Sequence, residues 1–101
     1  MANEVIFHRL VQKDMNGIQR YYRDEAGEEL AARFFDAFLS VVQKAGASPR
    51  HYHPNEYAPS LRQASVKGFP YHFLYRETTT GIRVLVLRHD SRHWNYGLKR
   101  K

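Results

Sequence analysis

The sequence contains no cysteine, which excludes disulfide bonds and thiolate metal sites and suits a reducing compartment, so we expect a cytoplasmic protein. No apolar run approaches the roughly 20 residues that span a bilayer, and no membrane partner is expected. There is no glycine-rich phosphate loop and no serine nucleophile motif. His51 and His53 lie two apart, but no further ligand follows at a metal-binding spacing. We therefore expect neither a metal nor a cofactor.

The charge of the chain is unevenly distributed. The 101 residues suffice for one domain, residues 1–101, and carry a formal net charge of +6. Residues 1–49 hold 6 Lys/Arg against 7 Asp/Glu, whereas residues 50–101 hold 10 against 3. Five of the six histidines also lie in the second half. A basic half predicts an anionic partner, for which nucleic acid and an acidic protein segment are the two candidates.

The first half of the chain predicts a strand followed by two helices. Residues 4–8 are a short apolar run with β-branched members. Residues 10–24 carry apolar side chains at roughly helical spacing, and residues 28–45 carry the clearest pattern, with a period of about 3.6. We expect Gly46 to end this second helix. The apolar stripe that we expect to be buried consists of Leu30, Phe34, Phe38 and Val42.

The second half predicts a loop and then three strands. Residues 47–60 contain three prolines and show no period. The pattern then alternates with a period of two over residues 61–67, 71–77 and 82–89. The order β-α-α-β-β-β predicts an α+β fold in which a two-helix hairpin covers one face of a largely antiparallel sheet. The other face and its rim are then left for partners.

Basic and aromatic side chains are expected on that second face and its rim. Clustered guanidinium groups bind phosphates and carboxylates bidentately, and aromatic rings among them stack on bases or anchor a protein contact. Arg76 and Arg83 have a simpler interpretation, which is that they solvate the strands. The predicted partner-binding residues are Arg62, Lys67, Arg88, His89, Arg92, Trp94 and Tyr96. For His89 alone, the favoured interpretation is that its imidazole forms a hydrogen bond with a neighbouring loop carbonyl and so holds the C-terminal turn. An alternative for the C-terminal residues is that Trp94 folds back as a lid on the sheet while Arg92 pairs with Asp90.

The order and spacing of these segments resembles the RelE/ParE toxins of bacterial type II toxin–antitoxin systems. The likeness rests on the strand Val5-Ile6-Phe7, the pair Tyr21-Tyr22, the strand entry Phe69-Pro70-Tyr71, and the turn with His89 and Arg92. It covers about residues 4 to 96. The resemblance implies one small toxin domain without a cofactor, encoded in a plasmid-stabilisation module and neutralised by a cognate antitoxin.

The resemblance leaves two targets open, since the family contains poisons of DNA gyrase and ribosome-dependent messenger RNA endonucleases. The endonuclease branch typically has an arginine after the tyrosine that opens the third strand, and here that position is His72. Gln63 and Ser65 stand where strand lysines are expected. We therefore favour the ParE-like branch and DNA gyrase. An endonuclease would use Arg62, His72 and Arg92 as base and cations, and a degenerate module that only binds the antitoxin is a third alternative.

Overall fold

Two helices and four strands follow one another as β1 (Glu4–Phe7), α1 (Val11–Ala26), α2 (Glu28–Ala47), β2 (Arg62–Ser65), β3 (Tyr71–Glu77) and β4 (Gly81–His89). The computed structural model describes residues 3–101. The predicted element order is confirmed, and every boundary lies within about two residues of its predicted position. Neither helix in this described part of the chain is long and apolar enough to cross a bilayer.

The four strands form a single sheet in the order β1-β4-β3-β2. β1 runs parallel to β4, and the other two pairs are antiparallel, so the sheet is largely antiparallel as predicted. The first strand of the chain therefore lies at one edge and pairs with the last. Both helices pack on one face of this sheet, where the main core cluster forms.

The helical face of the core is rich in aromatic rings. Phe38 packs on Phe73 at 5.5 Å between ring centroids, and Phe34 packs on Tyr71 at 5.2 Å. The prediction that Leu30 is buried is wrong, because a strict spacing of four residues drifts by about 40° per step around a helix. Leu30 lies at the margin of the buried face and is only half-buried. The buried residues of α2 are Ala31, Phe34, Phe38, Val41, Val42, Ala45 and Gly46.

Gly46 lies inside α2 and does not end it. The helix continues to Ala47, and Ser48 follows as the C-cap. A Cβ added at Gly46 would lie 3.1 Å from Cγ2 of Val5, which is tighter than an ordinary contact. The glycine therefore allows α2 to approach β1 closely, and the prediction that it stops the helix is wrong for that reason.

A β-bulge interrupts the pairing of β3 with β4. Tyr75 lies opposite Val84 and Leu74 lies opposite Val86, so Leu85 is an extra residue. Leu85 and Val86 both belong to the second core cluster, on the sheet face away from the helices. The bulge shifts the alternation of β4 by one residue. The β4 residues in the helical core cluster are Ile82, Val84 and Leu87.

Candidate functional site

The C-terminal segment, residues 90–101, folds back across the sheet face opposite the helices. Tyr96 and Leu98 pack against the buried leucines of that face. Gly97 has a φ of 82°, and a Cβ there would lie 2.6 Å from Cγ2 of Val86, so the backbone of the segment lies directly on β4. We expected this face to be open to partners, and that expectation is wrong because apolar side chains such as Leu74 require cover.

A buried ion pair fixes the segment to the rest of the fold. Nη1 of Arg100 donates to Oδ2 of Asp14 at 2.7 Å and to the carbonyl of Leu85 at 3.1 Å, while the backbone N–H of Leu87 donates to the same Oδ2 at 3.1 Å. β1 pairs with β4 only as far as Val84, so these two side chains satisfy backbone groups that no strand reaches. Burial acts to lower the pKa of Arg100, but Asp14 outweighs it and the pKa is raised.

His72 and Arg88 form a buried network beneath the C-terminal segment. Nε of Arg88 donates to Nε2 of His72 at 2.9 Å, and Nδ1 of His72 lies 2.8 Å from Oδ1 of Asp90. Nη1 of Arg88 donates to the carbonyls of Trp94 and Tyr96 at 2.8 and 2.7 Å. Because Nε2 accepts, the imidazole proton resides on Nδ1 and the ring is neutral. Burial lowers the pKa of His72 in spite of its hydrogen bond to Asp90, and Arg88 lowers it further.

This network removes two of the predicted site residues from the surface. His72 and Arg88 are only 4% and 5% exposed, and their polar atoms are engaged inside the fold. The alternation in β3 had suggested that His72 faces a partner, and it does point away from the helices, but the C-terminal segment covers it. Both side chains therefore hold the segment in place, and neither reaches a partner in this arrangement.

Arg62 and His72 lie on opposite faces of the sheet. Arg62 pairs with Tyr75 in the antiparallel register, so its side chain shares the helical face with Tyr75. Arg62 is half-buried at the margin of the sheet, and its Nη1 donates to the carbonyl of Tyr52 at 2.7 Å. Lys67 is exposed in the turn that precedes β3. The strands thus separate Arg62 from His72 and leave Lys67 at the rim.

The turn after β4 exposes one cation and orders one histidine. Nδ1 of His89 accepts a hydrogen bond from the backbone N–H of Ser91 at 3.0 Å, so the side chain holds the turn through an N–H group and not through the predicted carbonyl. Arg92 is exposed, and its guanidinium carbon lies 4.0 Å from the ring centroid of Tyr96. A cation over an aromatic face is held in place without losing its charge. Arg92 is therefore a preorganised cation at the rim.

An aromatic stack lies beside this cation. Trp94 is 45% exposed and stacks on Tyr57, with 4.8 Å between ring centroids and 25° between ring planes. Tyr57 is 55% exposed and comes from the loop before β2. Trp94 is one of the predicted partner-binding residues, whereas Tyr57 was not predicted, because no pattern in the chain links a loop tyrosine to a tryptophan 37 residues later. The ring centroids of His93 and Trp94 lie 5.5 Å apart, and the two ring planes are tilted by 31°.

Two grooves flank the connection between β1 and α1. The larger, about 960 Å³, is lined by residues 8–10 and 94–101. The smaller, about 350 Å³, is mainly apolar and exposes the rings of Phe7 and Phe35, which are 41% and 38% exposed. No three His, Cys, Asp or Glu side chains within residues 3–101 are grouped so that they could hold a metal ion.

Comparisons with known proteins agree on one family. The family model of the ParE toxin of type II toxin–antitoxin system, parDE, matches residues 5–94. A chain from the solved structure of the chromosomal ParDE TA system from P. aeruginosa has the same fold, with a TM-score of 0.75 and 16% identity over 85% of this chain and 94% of that one. No match was found among curated proteins. The resemblance to RelE/ParE toxins is thus confirmed on its ParE side, and the chain belongs to the ParE toxin family of type II toxin–antitoxin systems.

Proposed function

We propose that this toxin acts on DNA gyrase by binding, without chemistry of its own, and that a cognate antitoxin neutralises it. Membership of the ParE family supports this proposal over RNA cleavage. The observation that carries it is that the three candidate groups for cleavage do not converge on one site. Arg62 and His72 lie on opposite faces of the sheet, and only Arg92 stands free at the rim.

RNA cleavage needs a base and a cation at the same phosphate, within hydrogen-bond reach. Arg62 lies opposite Tyr75 and His72 lies opposite Ser65, so the two are three residues apart along the paired strands, or about 10 Å. In addition, Nε2 of His72 already accepts from Arg88. A proton bound at Nε2 would displace the hydrogen bond from Arg88 and place two positive charges side by side, so His72 is poorly suited to act as a base.

For target binding, we propose the rim formed by the exposed side chains of Lys67, Arg92 and Trp94 together with the half-buried His89 and Tyr96. Arg92 combines a free cation with an ordered position over Tyr96. Such Arg and Trp side chains are typical anchors of protein interfaces. Arg88 supports this surface from within, through the hydrogen bonds that it donates to the carbonyls of Trp94 and Tyr96.

For the antitoxin, we propose an amphipathic acidic segment that lays apolar side chains in the smaller groove. Phe7 and Phe35 would be covered by it, and Arg9 at the margin would meet its carboxylates. The same segment would approach the basic second half of the chain, so its association should slow as salt rises. An association rate that is equal at low and high salt would contradict this part of the proposal.

The experiment that tests the target uses purified toxin in two parallel reactions. With gyrase, plasmid DNA and ATP, we expect linear DNA covalently attached to gyrase to accumulate. With translating ribosomes, we expect the messenger RNA to remain intact. Arg92→Ala should abolish the gyrase effect, whereas Arg76→Ala, a matched exposed arginine on β3, should not. Cleaved messenger RNA with unaffected gyrase would overturn the proposal.

A further inference from the structure

The larger groove is strongly basic. It runs between the connection from β1 to α1 and the C-terminal segment, and none of the residues that line it within the described range 3–101 is acidic. Asp14 neutralises Arg100 from behind, which leaves Arg9, Lys99 and Lys101 as exposed cations. The positive potential is felt by a neighbouring group, since burial and the charges of three arginines lower the pKa of His8.

One end of this groove carries the aromatic stack. Trp94 lines the groove and stacks on Tyr57, with His93 tilted against the same indole. The centroids of the Trp94 and Tyr57 rings lie 4.8 Å apart, the ring planes differ by 25°, and each side chain is about half exposed. The stack therefore leaves flat apolar surface in contact with water, which packing of the core does not require. The groove thus combines a track of cations with a terminal stack of flat rings.

We propose that this groove binds single-stranded nucleic acid, with phosphates along Arg9, Lys99 and Lys101 and a base that extends the stack of Trp94 and Tyr57. Cationic grooves that end in aromatic platforms are the general means by which proteins hold unpaired strands. An acidic peptide would use the cations, but its carboxylates gain nothing from the stacked rings. Single-stranded DNA and RNA share the required chemistry, and separate arms of the experiment distinguish them.

This binding would be an activity of the toxin chain itself, separate from the proposed action on gyrase. It needs neither gyrase nor antitoxin, so it can be measured with the purified protein alone. Failure of the gyrase experiment would leave it standing, and its own failure would leave the gyrase proposal standing.

The test uses the fluorescence of Trp94, which is the single tryptophan of the sequence. We expect dT12 or rU12 to quench this fluorescence in a saturable way at low salt, because a base stacks on the ring. Inorganic polyphosphate and poly-glutamate should both bind more weakly than the oligonucleotides and cause little quenching, because neither has a base that can stack on the indole. Quenching by DNA alone, RNA alone or both identifies the source. No saturable quenching by either oligonucleotide, or tighter binding of poly-glutamate, overturns the proposal.

Variants separate stacking from charge in a second measurement, the anisotropy of a labelled oligonucleotide. Trp94→Ala should weaken binding by roughly 5- to 150-fold, the effect of losing one base–ring stack. Tyr57→Ala should weaken it less, because Tyr57 supports the indole from its other side. Tyr21→Ala is the matched control, since Tyr21 is 56% exposed against 55% for Tyr57 but lies on α1. Unchanged affinity in both stack variants, with folding verified by circular dichroism, would exclude the platform.

The cations are tested through the salt dependence of binding. Each phosphate contact adds about −0.7 to the slope of log affinity against log salt for single strands. We expect the double variant Lys99→Gln with Lys101→Gln to reduce the slope by about 1.4. Lys44→Gln serves as control, because Lys44 is exposed in the last turn of α2, outside the groove. A slope that is the same in the double variant and the control would contradict the proposed path.

Discussion

Replacing Arg100 by alanine should destabilise the toxin far more than its position near the end of the sequence suggests. The side chains of Arg100 and Asp14 are 12% and 5% exposed, so the ion pair is largely buried away from water. Loss of Arg100 would leave the Asp14 carboxylate buried, and among residues 3–101 only the N–H of Leu87 and the hydroxyl of Tyr96 would still donate to it. Breaking a buried pair in this way costs about 3–5 kcal/mol of unfolding free energy. Domains of this size have about 5–15 kcal/mol in total.

Urea unfolding followed by circular dichroism measures this loss, and the midpoint should fall by at least about 1 M. The matched control is Arg23→Ala, because Arg23 forms an ion pair with Glu28 that is 47% and 70% exposed. That exposed pair should contribute about 0–1 kcal/mol. In a double-mutant cycle of Asp14→Ala and Arg100→Ala, the summed single losses should exceed the double loss by about 1–3 kcal/mol. The reasoning is refuted if Arg100→Ala costs no more than Arg23→Ala, or if the two losses are additive.

Four further changes have defined outcomes. Phe38→Ala should lower the unfolding free energy by about 3–5 kcal/mol, and a urea midpoint near that of the unmodified protein would mean that α2 faces elsewhere. Gly17→Ala should raise it by about 0.5–1 kcal/mol, because Gly17 is exposed within α1 and an added Cβ meets nothing within 4 Å; a lower melting temperature would count against this. Because the pKa of His72 is lowered in the folded state, the unfolded chain binds more protons, so stability should fall as pH drops below about 6.5; a His72 that titrates near its ordinary pKa would contradict this. NMR should also show a neutral ring protonated at Nδ1, and a neutral ring protonated at Nε2 would disprove the tautomer. Arg92→Ala should abolish growth arrest while the melting temperature shifts by less than about 4 °C, and a fully toxic variant would remove Arg92 from the site.

The sequence predicted well those elements that repeat a simple period. The stripe around Phe34 and Phe38 identified α2, and alternation identified β3 and β4. Such patterns arise because one face of each element must be buried, and this requirement is local in the chain. The same locality explains the error at Gly46, since a glycine that ends a helix and one that admits a neighbouring strand look alike in sequence.

The candidate site was harder to predict, because it depends on contacts between distant residues. Asp14 looks like an ordinary acid in the first turn of a helix, and only the fold brings it to Arg100. A bulge at Leu85 leaves no mark in a strand that is apolar on both sides. Because neither feature was visible, the covering of the second sheet face was predicted only as the alternative for Trp94, and the internal positions of His72 and Arg88 were missed.

The basic groove is built from residues 8–10 and 94–101, and this has a consequence for the order of events during synthesis. The chain emerges from the ribosome from its N-terminus, so the two walls of the groove are made at opposite ends of that process. β1 likewise waits for Gly81 and its neighbours, which are its pairing partners in β4. The helical hairpin can form early from local contacts, but the groove and the ion pair of Asp14 with Arg100 arise only after residue 100 has emerged. The nascent chain can therefore complete its helical hairpin, which carries Phe35, before either the β1 strand with Phe7 or the basic groove is in place.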